Sequence, residues 1–183
     1  MNEYVKIHNF KDSQKFEEEG YERQNAFYKE YFGHLPHRIT WQEDSEYQSS
    51  DRDLWILNND NEEKHISEKR RSKDFPDVLF EIWSNYNKKN EGWALHSDAE
   101  VLAYFLPSSI VLLEMQPLVK MLSDPINKIK KQVDLGNKYR DIWIYGEFYP
   151  ATIVKTFNET YTTLSITFSE RQLKRLGVRF KRF

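Results

Sequence analysis

The spacing of hydrophobic side chains predicts that the chain opens with a helix. Apolar positions recur at partly helical intervals from about Ser13 to Phe32. Gly33 follows directly and Pro36 stands three residues later, as is typical of a helix end. A short strand is predicted at about 38–41, and the polar stretch up to Arg52 predicts a loop.

The middle of the chain changes to the shorter hydrophobic runs that strands favour. Runs rich in β-forming residues predict strands at 53–57, 64–71 and 78–83, and the segment Asn58–Asn61 predicts a turn between the first two. Ser97 and Glu100 have the spacing of a capping box, which predicts a short helix there. Two further strands, at 101–106 and 110–114, flank a predicted turn at 107–109.

The last third of the chain alternates between helices and strands. Helices are predicted at 117–122 and 124–135, and strands at 141–145, 151–157 and 161–168. Ser169 and Gln172 form a second capping-box pattern, which opens a last helix that ends at Gly177. The order of elements predicts an α/β (α+β) protein with a mixed central sheet flanked by helices.

Composition limits the kinds of protein that this chain can be. Its 183 residues suit one domain over 1–183, and it has no cysteine, which excludes thiolate metal sites and cysteine nucleophiles. No apolar run reaches the roughly 18 residues of a membrane span, so we expect a soluble protein with no membrane partner. Gly-rich phosphate loops are absent, which argues against nucleoside triphosphate hydrolysis.

Charge is unevenly distributed although the net charge is only −2. Residues 1–63 carry 15 acidic and 7 basic side chains, whereas residues 64–183 carry 14 acidic and 20 basic ones. Two differently charged surfaces would explain this distribution. An acidic metal pocket beside a phosphate-binding surface would explain it equally well.

The predicted hairpin at 53–71 contains a candidate metal site. If the loop is 59–62, paired residues have numbers that sum to 121, and Asp53 stands opposite Glu68. Opposite side chains have Cβ atoms roughly 4.5–5.5 Å apart. Two carboxylates at that distance repel unless a proton or a cation lies between them, and Mg²⁺ prefers such oxygen ligands. The alternative is a polar hairpin with an ordinary cross-strand charge cluster.

The segment 51–105 resembles the PD-(D/E)XK phosphodiesterase superfamily, and especially the small nuclease-like proteins of phages and mobile elements. The shared pattern is an acidic residue that opens a strand, a turn, and an acid-x-Lys strand. Three further features follow in the family pattern: a strand that ends in an Ile-Glu-like pair, then a Gly-Trp pair, and then a strand that contains a tyrosine. The matching positions here are Asp53, the region 68–70, Phe80-Glu81, Gly92-Trp93 and Tyr104. The resemblance implies a restriction-endonuclease-like core at about 13–122, with 123–183 as a C-terminal extension of helix, strands and basic tail.

The resemblance also implies a set of catalytic residues. Asp53, Glu68 and Glu81 would bind Mg²⁺ or Mn²⁺, and Lys69 or Arg70 would stabilise charge on the phosphate. A helix glutamate is typical of the family, and Glu22 is the first candidate for it, with Glu18 next. Two frames remain open for the acid-x-Lys strand. In one, Ser67 takes the place of the acid, Lys69 is the lysine and Glu81 supplies the missing carboxylate; in the other, Glu68 is the acid and Arg70 replaces the lysine.

Basic side chains beside the hairpin and at the C-terminus are candidates for nucleic-acid contact. The segment 171–183 has six basic residues and no acid, and its apolar positions suggest that it docks partly on the body of the protein. It is either a solvated amphipathic helix and tail or a surface that contacts the DNA backbone. The candidates are Arg71, Lys73, Arg171, Lys174, Arg175, Arg179, Lys181 and Arg182.

Three functions follow from these observations. The first is a Mg²⁺-dependent endonuclease or exonuclease that hydrolyses phosphodiester bonds in DNA. The second is an inactive protein of the same fold, of phage or mobile-element origin, that binds nucleic acid or a host protein. The third is a purely structural interaction domain, which would show no salt-dependent binding of nucleic acid. The resemblance implies DNA as the partner and the cytoplasm of a bacterial or phage-infected cell as the location, and it leaves a homodimer open.

Overall fold

The protein is described by a computed structural model that covers residues 15–16, 18–39, 51–123, 139–144, 147–157 and 162–183; for 121–123, 139–144 and 147–157 the description is of the backbone. The elements in chain order are α1 (Tyr21–Phe32), β1 (His37–Arg38), β2 (Leu54–Leu57), β3 (Glu63–Arg70), β4 (Asp77–Asn85), β5 (Asn90–Glu91), α2 (Trp93–His96), β6 (Val101–Phe105), β7 (Ile110–Glu114), α3 (Met115–Ser123), β8 (Tyr139–Ile144), β9 (Glu147–Phe157), β10 (Thr162–Ser169), α4 (Glu170–Arg175) and β11 (Phe180–Arg182).

Two sheets organise these strands. The first has the order β1-β2-β3-β6-β7-β11 and is mixed, because β3 and β6 run parallel whereas its other neighbours are antiparallel. The second has the order β5-β4-β10-β9-β8 and is antiparallel. The expected α+β class with a mixed sheet is therefore confirmed, with fewer helices than strands among the described elements.

Two apolar clusters lie on opposite faces of the mixed sheet. The larger cluster joins residues of β6 and β7 to residues of β4 and β10, and it includes Tyr104, Phe80 and Phe168. The smaller cluster packs Phe27 and Tyr28 of α1 against the other face of the mixed sheet. The mixed sheet is thus covered by α1 on one side and by the antiparallel sheet on the other, because both of its faces are apolar. The prediction of one central sheet flanked by helices is therefore wrong for the second face, which a sheet covers.

Several predicted boundaries are confirmed by backbone geometry. Gly33 ends α1 in the left-handed conformation at φ 80°, which glycine adopts without steric cost. Ser169 accepts a hydrogen bond from the Gln172 backbone N–H, and the Gln172 side chain accepts one from the Ser169 backbone N–H, so the second capping box is real. The strands of the hairpins at 54–70 and 101–114 also lie where their patterns predict.

Other predictions are wrong or incomplete. Residues 97–100 form no helix, because the Glu100 carboxylate binds Lys64 and the His65 N–H instead of capping its own chain. A single-turn helix, α2, lies just before them. The tail contains a strand that the pattern did not predict, β11, which pairs with β7. The helix predicted at 124–135 lies outside the described residues.

The C-terminal part of the chain shares the core of the middle part. Strand β10 hydrogen-bonds to β4, and Leu173 of α4 is buried in the larger apolar cluster. The tail therefore docks on the body of the protein, as its apolar positions suggest. None of the described helices is long and apolar enough to cross a lipid bilayer.

Candidate functional site

The hairpin of β2 and β3 has a different register from the one expected. Its residue pairs, such as Leu54 with Ile66 and Trp55 with His65, sum to 120. The turn is one residue shorter than assumed, because Asn58 closes it. The backbone N–H of Asn58 donates to the Glu62 carbonyl, and the side-chain oxygen of Asn58 accepts from the backbone N–H groups of Asp60 and Glu62. Asn61 completes the turn with φ 60°.

This register overturns the expected pairing of Asp53 with Glu68. The pairing ends at Leu54 with Ile66, and the Asp53 N–H donates to the Ile66 carbonyl. The Asp53 carboxylate lies 3.5 Å from Ser67 Oγ and 3.3 Å from Lys69 Nζ, and a shift of one residue moves every side chain to the other face of a strand. Ser67 and Lys69 therefore share a face with Asp53, whereas the Glu68 side chain points to the other face. The expected shared cation between the Asp53 and Glu68 carboxylates does not fit this arrangement.

Lys69 is the centre of the site that the structure brings together. Its Nζ donates to Asp51 Oδ1 at 2.8 Å and to Asp53 Oδ2 at 3.3 Å. Ser67 Oγ donates to Asp51 Oδ2 at 2.7 Å, and the backbone N–H of Glu68 donates to Asp53 Oδ2 at 2.6 Å. The Asp53 side chain is 42% exposed and that of Asp51 only 11%, so Asp53 is the more exposed of the two, although its surroundings bury it enough to raise its pKa.

Glu81 of β4 brings a third carboxylate towards this site. The charges of both Lys69 and Asp51 act on it, which places it within their electrostatic reach. The backbone beside it is closely packed: a Cβ atom on Gly92 would come within 2.6 Å of the Glu81 carbonyl carbon and 2.8 Å of its Cγ. Trp93 follows, and the Lys69 ammonium lies 5.4 Å from the centre of its ring. Gly92 thus allows α2 to start directly against Glu81.

The pKa values of the site reflect burial and an excess of negative charge. Burial raises the pKa of Asp53, and the charge of Asp51 adds to this effect although Lys69 opposes it. Burial also raises the pKa of Glu81, with Lys69 opposing and Asp51 adding. Burial alone would lower the pKa of Lys69, but the charges of Asp53 and Asp51 outweigh burial and raise it. Lys69 consequently stays protonated over the physiological range.

Glu68 belongs to a separate polar network between β3 and α1. Its carboxylate forms an ion pair with Arg38 of β1. Arg38 also donates to the side-chain oxygens of Gln24 and Asn25, at 3.3 Å each, and lies over the ring of Tyr21. Burial raises the pKa of Glu68, although Arg38 opposes the shift. This network links α1 to the strand that carries Lys69, and it leaves Glu68 away from the Lys69 face.

Two other expected catalytic residues also lie away from Lys69. Arg70 donates to the Phe16 carbonyl and lies over the Phe16 ring, on the same side of the mixed sheet as Glu68. Glu22 is exposed in the first turn of α1. Of the expected set, the structure places Asp53 in hydrogen-bond contact with Lys69 and Glu81 within electrostatic reach of Lys69. It does not bring Glu68, Arg70 or Glu22 to them.

The candidate nucleic-acid contacts fall in two places. Beyond the end of β3, Arg71 pairs with Asp77 at 3.0 Å and lies over the Phe75 ring, and Lys73 is exposed in the next turn. The second place is α4 and β11. There Arg182 pairs with Glu170, and Arg179 pairs with Glu114 at 3.5 Å while 85% of its side chain stays exposed. The other exposed cations of this second group are Arg171, Lys174, Arg175 and Lys181.

Asp51 is the residue that the sequence analysis missed. Its spacing of two from Asp53 was the available signal, because alternate residues of an extended chain share a face. Within the described part of the chain, no three acidic or histidine side chains converge closely enough to form a ready-made metal centre. No family model, curated protein or solved structure matches the chain. The case for function therefore rests on the chemistry of the site.

Proposed function

We propose that this protein is a metal-dependent nuclease that hydrolyses phosphodiester bonds in DNA, with Asp53, Glu81 and Lys69 as its active residues. The observation that carries the proposal is that Asp53 bonds to the Lys69 ammonium and that Glu81, from a separate strand, lies within electrostatic reach of the same lysine. The proposal includes a restriction-endonuclease-like core and membership of the PD-(D/E)XK superfamily, in the frame where Ser67 replaces the acid and Glu81 supplies a carboxylate.

The order and placement of the elements support this frame. Asp53 stands at the opening of β2, the hairpin turn follows, and Lys69 lies on β3. Glu81 lies on β4, Gly92 and Trp93 start α2, and Tyr104 lies on β6, directly beside Lys69 in the parallel pairing of β3 and β6. The features that carry the sequence resemblance are therefore neighbours around one lysine instead of being scattered over the surface.

The donor set suits a hard divalent cation. Asp51 and Asp53 bond to the single ammonium of Lys69, and Glu81 lies within its electrostatic reach, so acidic groups outnumber the cation around Lys69 although these three carboxylates do not converge on one point. Mg²⁺ is commonly held by only one or two carboxylates together with water and substrate phosphate, and Asp53 and Glu81 would provide these. The cation, when bound, supplies Lewis-acid activation of water and phosphate.

The chain's own groups have separate tasks in such a reaction. The half-buried carboxylate of Asp53, oriented by the Glu68 N–H, would hold the cation at the more open side of the site. Lys69 would place a fixed positive charge beside the scissile phosphate, where negative charge grows as water adds to phosphorus. Its raised pKa suits this electrostatic task and opposes a task as proton acceptor. Arg71 and Lys73, beyond the end of the same strand, would contact flanking phosphates.

A second candidate is a catalytically inactive protein of the same fold that binds nucleic acid or a host protein. One observation favours it: the Lys69 ammonium bonds to both Asp51 and Asp53, so an internal cation already balances these carboxylates. The two candidates differ in what they require of Asp53. The nuclease needs its charge to hold a cation, whereas the binding protein does not.

The test compares the wild-type protein with Asp53→Asn. Plasmid and oligonucleotide substrates are incubated with Mg²⁺ or Mn²⁺, and with EDTA, while calorimetry measures Mn²⁺ binding to the protein alone. We expect metal-dependent cleavage by the wild type and none by Asp53→Asn, because asparagine keeps the shape but loses the charge that a hard cation needs. DNA binding without metal should persist or become tighter, since the lost carboxylate repels phosphate.

A matched control for this substitution is Asp60→Asn, which removes an exposed carboxylate at the tip of the β2–β3 turn. This variant should cleave and bind Mn²⁺ like the wild type. Full cleavage by a folded Asp53→Asn protein would defeat the nuclease proposal at this site. DNA binding by the wild type without cleavage under either metal would instead support the inactive binding protein.

A further inference from the structure

The carboxylate of Asp51 occupies a place that the sequence of β3 leaves empty. In the proposed frame, position 67 of β3 is the acid position of the acid-x-Lys pair, and it holds a serine. The Ser67 hydroxyl carries no negative charge and so cannot balance the Lys69 ammonium. It donates instead to Asp51 Oδ2 at 2.7 Å, and the other oxygen of the same carboxylate accepts from Lys69 at 2.8 Å. Asp51 thus bridges positions 67 and 69.

The burial of Asp51 separates its task from that of Asp53. Only 11% of the Asp51 side chain is exposed, compared with 42% for Asp53. Both Asp51 oxygens are engaged by groups of β3, whereas Asp53 bonds to Lys69 through one oxygen at the longer distance of 3.3 Å. Asp51 is therefore an internal anchor for the ammonium, and Asp53 is the group open to a ligand.

We propose that Asp51 is a positioning residue that supplies, from the segment before β2, the carboxylate missing at position 67 and so holds the Lys69 ammonium in place. A role of Asp51 in catalysis depends on the proposed function, because Lys69 is the group that would contact the phosphate. Its structural part, that Asp51 holds the Lys69 ammonium more closely than Asp53 does, can be tested without any nuclease activity.

The substitutions follow from the backbone and from the contacts. Asp51 has φ 57°, so Asp51→Gly suits the backbone and leaves room, while Asp51→Asn keeps the shape and removes the charge. Adding Ser67→Glu to Asp51→Gly places a carboxylate on β3 itself, long enough to reach the vacated position. Each variant is treated with acetic anhydride at one fixed pH, and the acylation rate of every lysine is measured by mass spectrometry.

We expect Lys69 to be protected in the wild type and acylated several-fold faster in both Asp51 variants. The combined variant Asp51→Gly, Ser67→Glu should return the Lys69 rate towards that of the wild type. Lys64, whose Nζ bonds to Glu100 at 2.9 Å, is the internal standard and should not change. The matched control Glu100→Gln should speed acylation of Lys64 and leave Lys69 protected.

Two outcomes would overturn the inference. One is an unchanged Lys69 rate in the Asp51 variants together with a faster rate in Asp53→Asn, which would make Asp53 the anchor. The other is a failure of Ser67→Glu to restore protection when the Lys64 rate and the melting temperature match the wild type.

The same variants separate this inference from the proposed function. If the wild type cleaves DNA, the Asp51 variants should lower kcat with little change in KM, and the combined variant should recover kcat. An unchanged kcat in variants with an exposed Lys69 would also overturn the positioning role. If the wild type does not cleave, the proposed function fails, and the acylation rates still decide whether Asp51 holds Lys69.

Discussion

Lys69 decides the charge balance of the candidate site. Asp51 and Asp53 bond to its ammonium, and its charge also acts on Glu81, so removing Lys69 would leave these acidic groups without the cation that balances them. Arg70, one residue later, faces the opposite side of the mixed sheet and is held by Phe16. Neighbouring cations of β3 are therefore in different environments, which makes them a matched pair for mutation.

We predict that Lys69→Ala lowers the rate of metal-dependent cleavage by about 10²–10³-fold, the typical cost of removing one group that stabilises transition-state charge. Arg70→Ala should keep the cleavage rate within a few-fold of the wild type, because the Arg70 guanidinium contacts Phe16 on the other face of the mixed sheet. Steady-state cleavage of a labelled oligonucleotide measures both. A large loss of cleavage in Arg70→Ala, together with a normal cleavage rate in Lys69→Ala, would instead favour the frame in which Glu68 is the acid and Arg70 replaces the lysine.

At the scale of elements, the sequence predicted best what local chemistry determines. The glycine that ends α1, the Ser169 capping box and the alternating strands all depend on near neighbours in the chain, and the structure has them where expected. The hairpin register was wrong because it depends on how Asn58 closes a turn, and one residue more or less exchanges the two faces. Strand β4 was predicted, but its place beside β10 depends on contacts between distant parts of the chain.

The candidate site was predictable to the same limited extent. The motif resemblance named Asp53, Lys69 and Glu81 but could not choose between Lys69 and Arg70, because the choice depends on the register. Glu100 shows why the capping-box pattern at 97–100 failed. Its carboxylate finds Lys64 and the His65 N–H on the neighbouring strand, and these partners compete with local capping.

The junction between β4 and α2 provides a prediction at this scale. Gly92→Ala should lower the free energy of unfolding by about 1–3 kcal/mol, because the added Cβ overlaps the backbone of Glu81 and has no flexible neighbour to displace. The variant should also bind Mn²⁺ more weakly, since Glu81 must shift. Thermal or urea unfolding and calorimetry measure the two effects.

Gly20→Ala is the matched control for Gly92→Ala. A Cβ there would meet only the flexible Arg70 side chain, at 3.0 Å and beyond, so we expect a smaller change in stability. A stable Gly92→Ala protein with unaltered Mn²⁺ binding would show that α2 can move away from β4 and that Glu81 does not depend on this contact.

At the scale of the whole molecule, the C-terminal segment joins both sheets. Strand β10 lies between β4 and β9 in the antiparallel sheet, and β11 forms an edge of the mixed sheet beside β7. Phe183 then packs against Phe27 and Tyr31 of α1, so the basic tail is anchored on the body. An anchored segment presents its cations in fixed positions, which suits contact with the regular spacing of phosphates in a duplex.

We predict that Arg179→Gln with Lys181→Gln weakens DNA binding and flattens its dependence on salt. Each lost duplex phosphate contact should reduce the slope of log affinity against log salt by about 0.9, because fewer counterions are released on binding. These two residues are chosen because Arg179 is 85% exposed, with only a long 3.5 Å ion pair to Glu114, and Lys181 lies over aromatic rings. Arg182 is kept because it pairs with the less exposed Glu170, and its loss would also affect stability. The matched control, Lys88→Gln with Lys89→Gln, removes the same charge from the exposed β4–β5 turn and should leave the slope unchanged. Equal slopes for the wild type and the tail variant would show that α4 and β11 are not part of the proposed DNA-binding surface. If the control variant lost as much affinity and slope as the tail variant, only the net charge of the protein would matter.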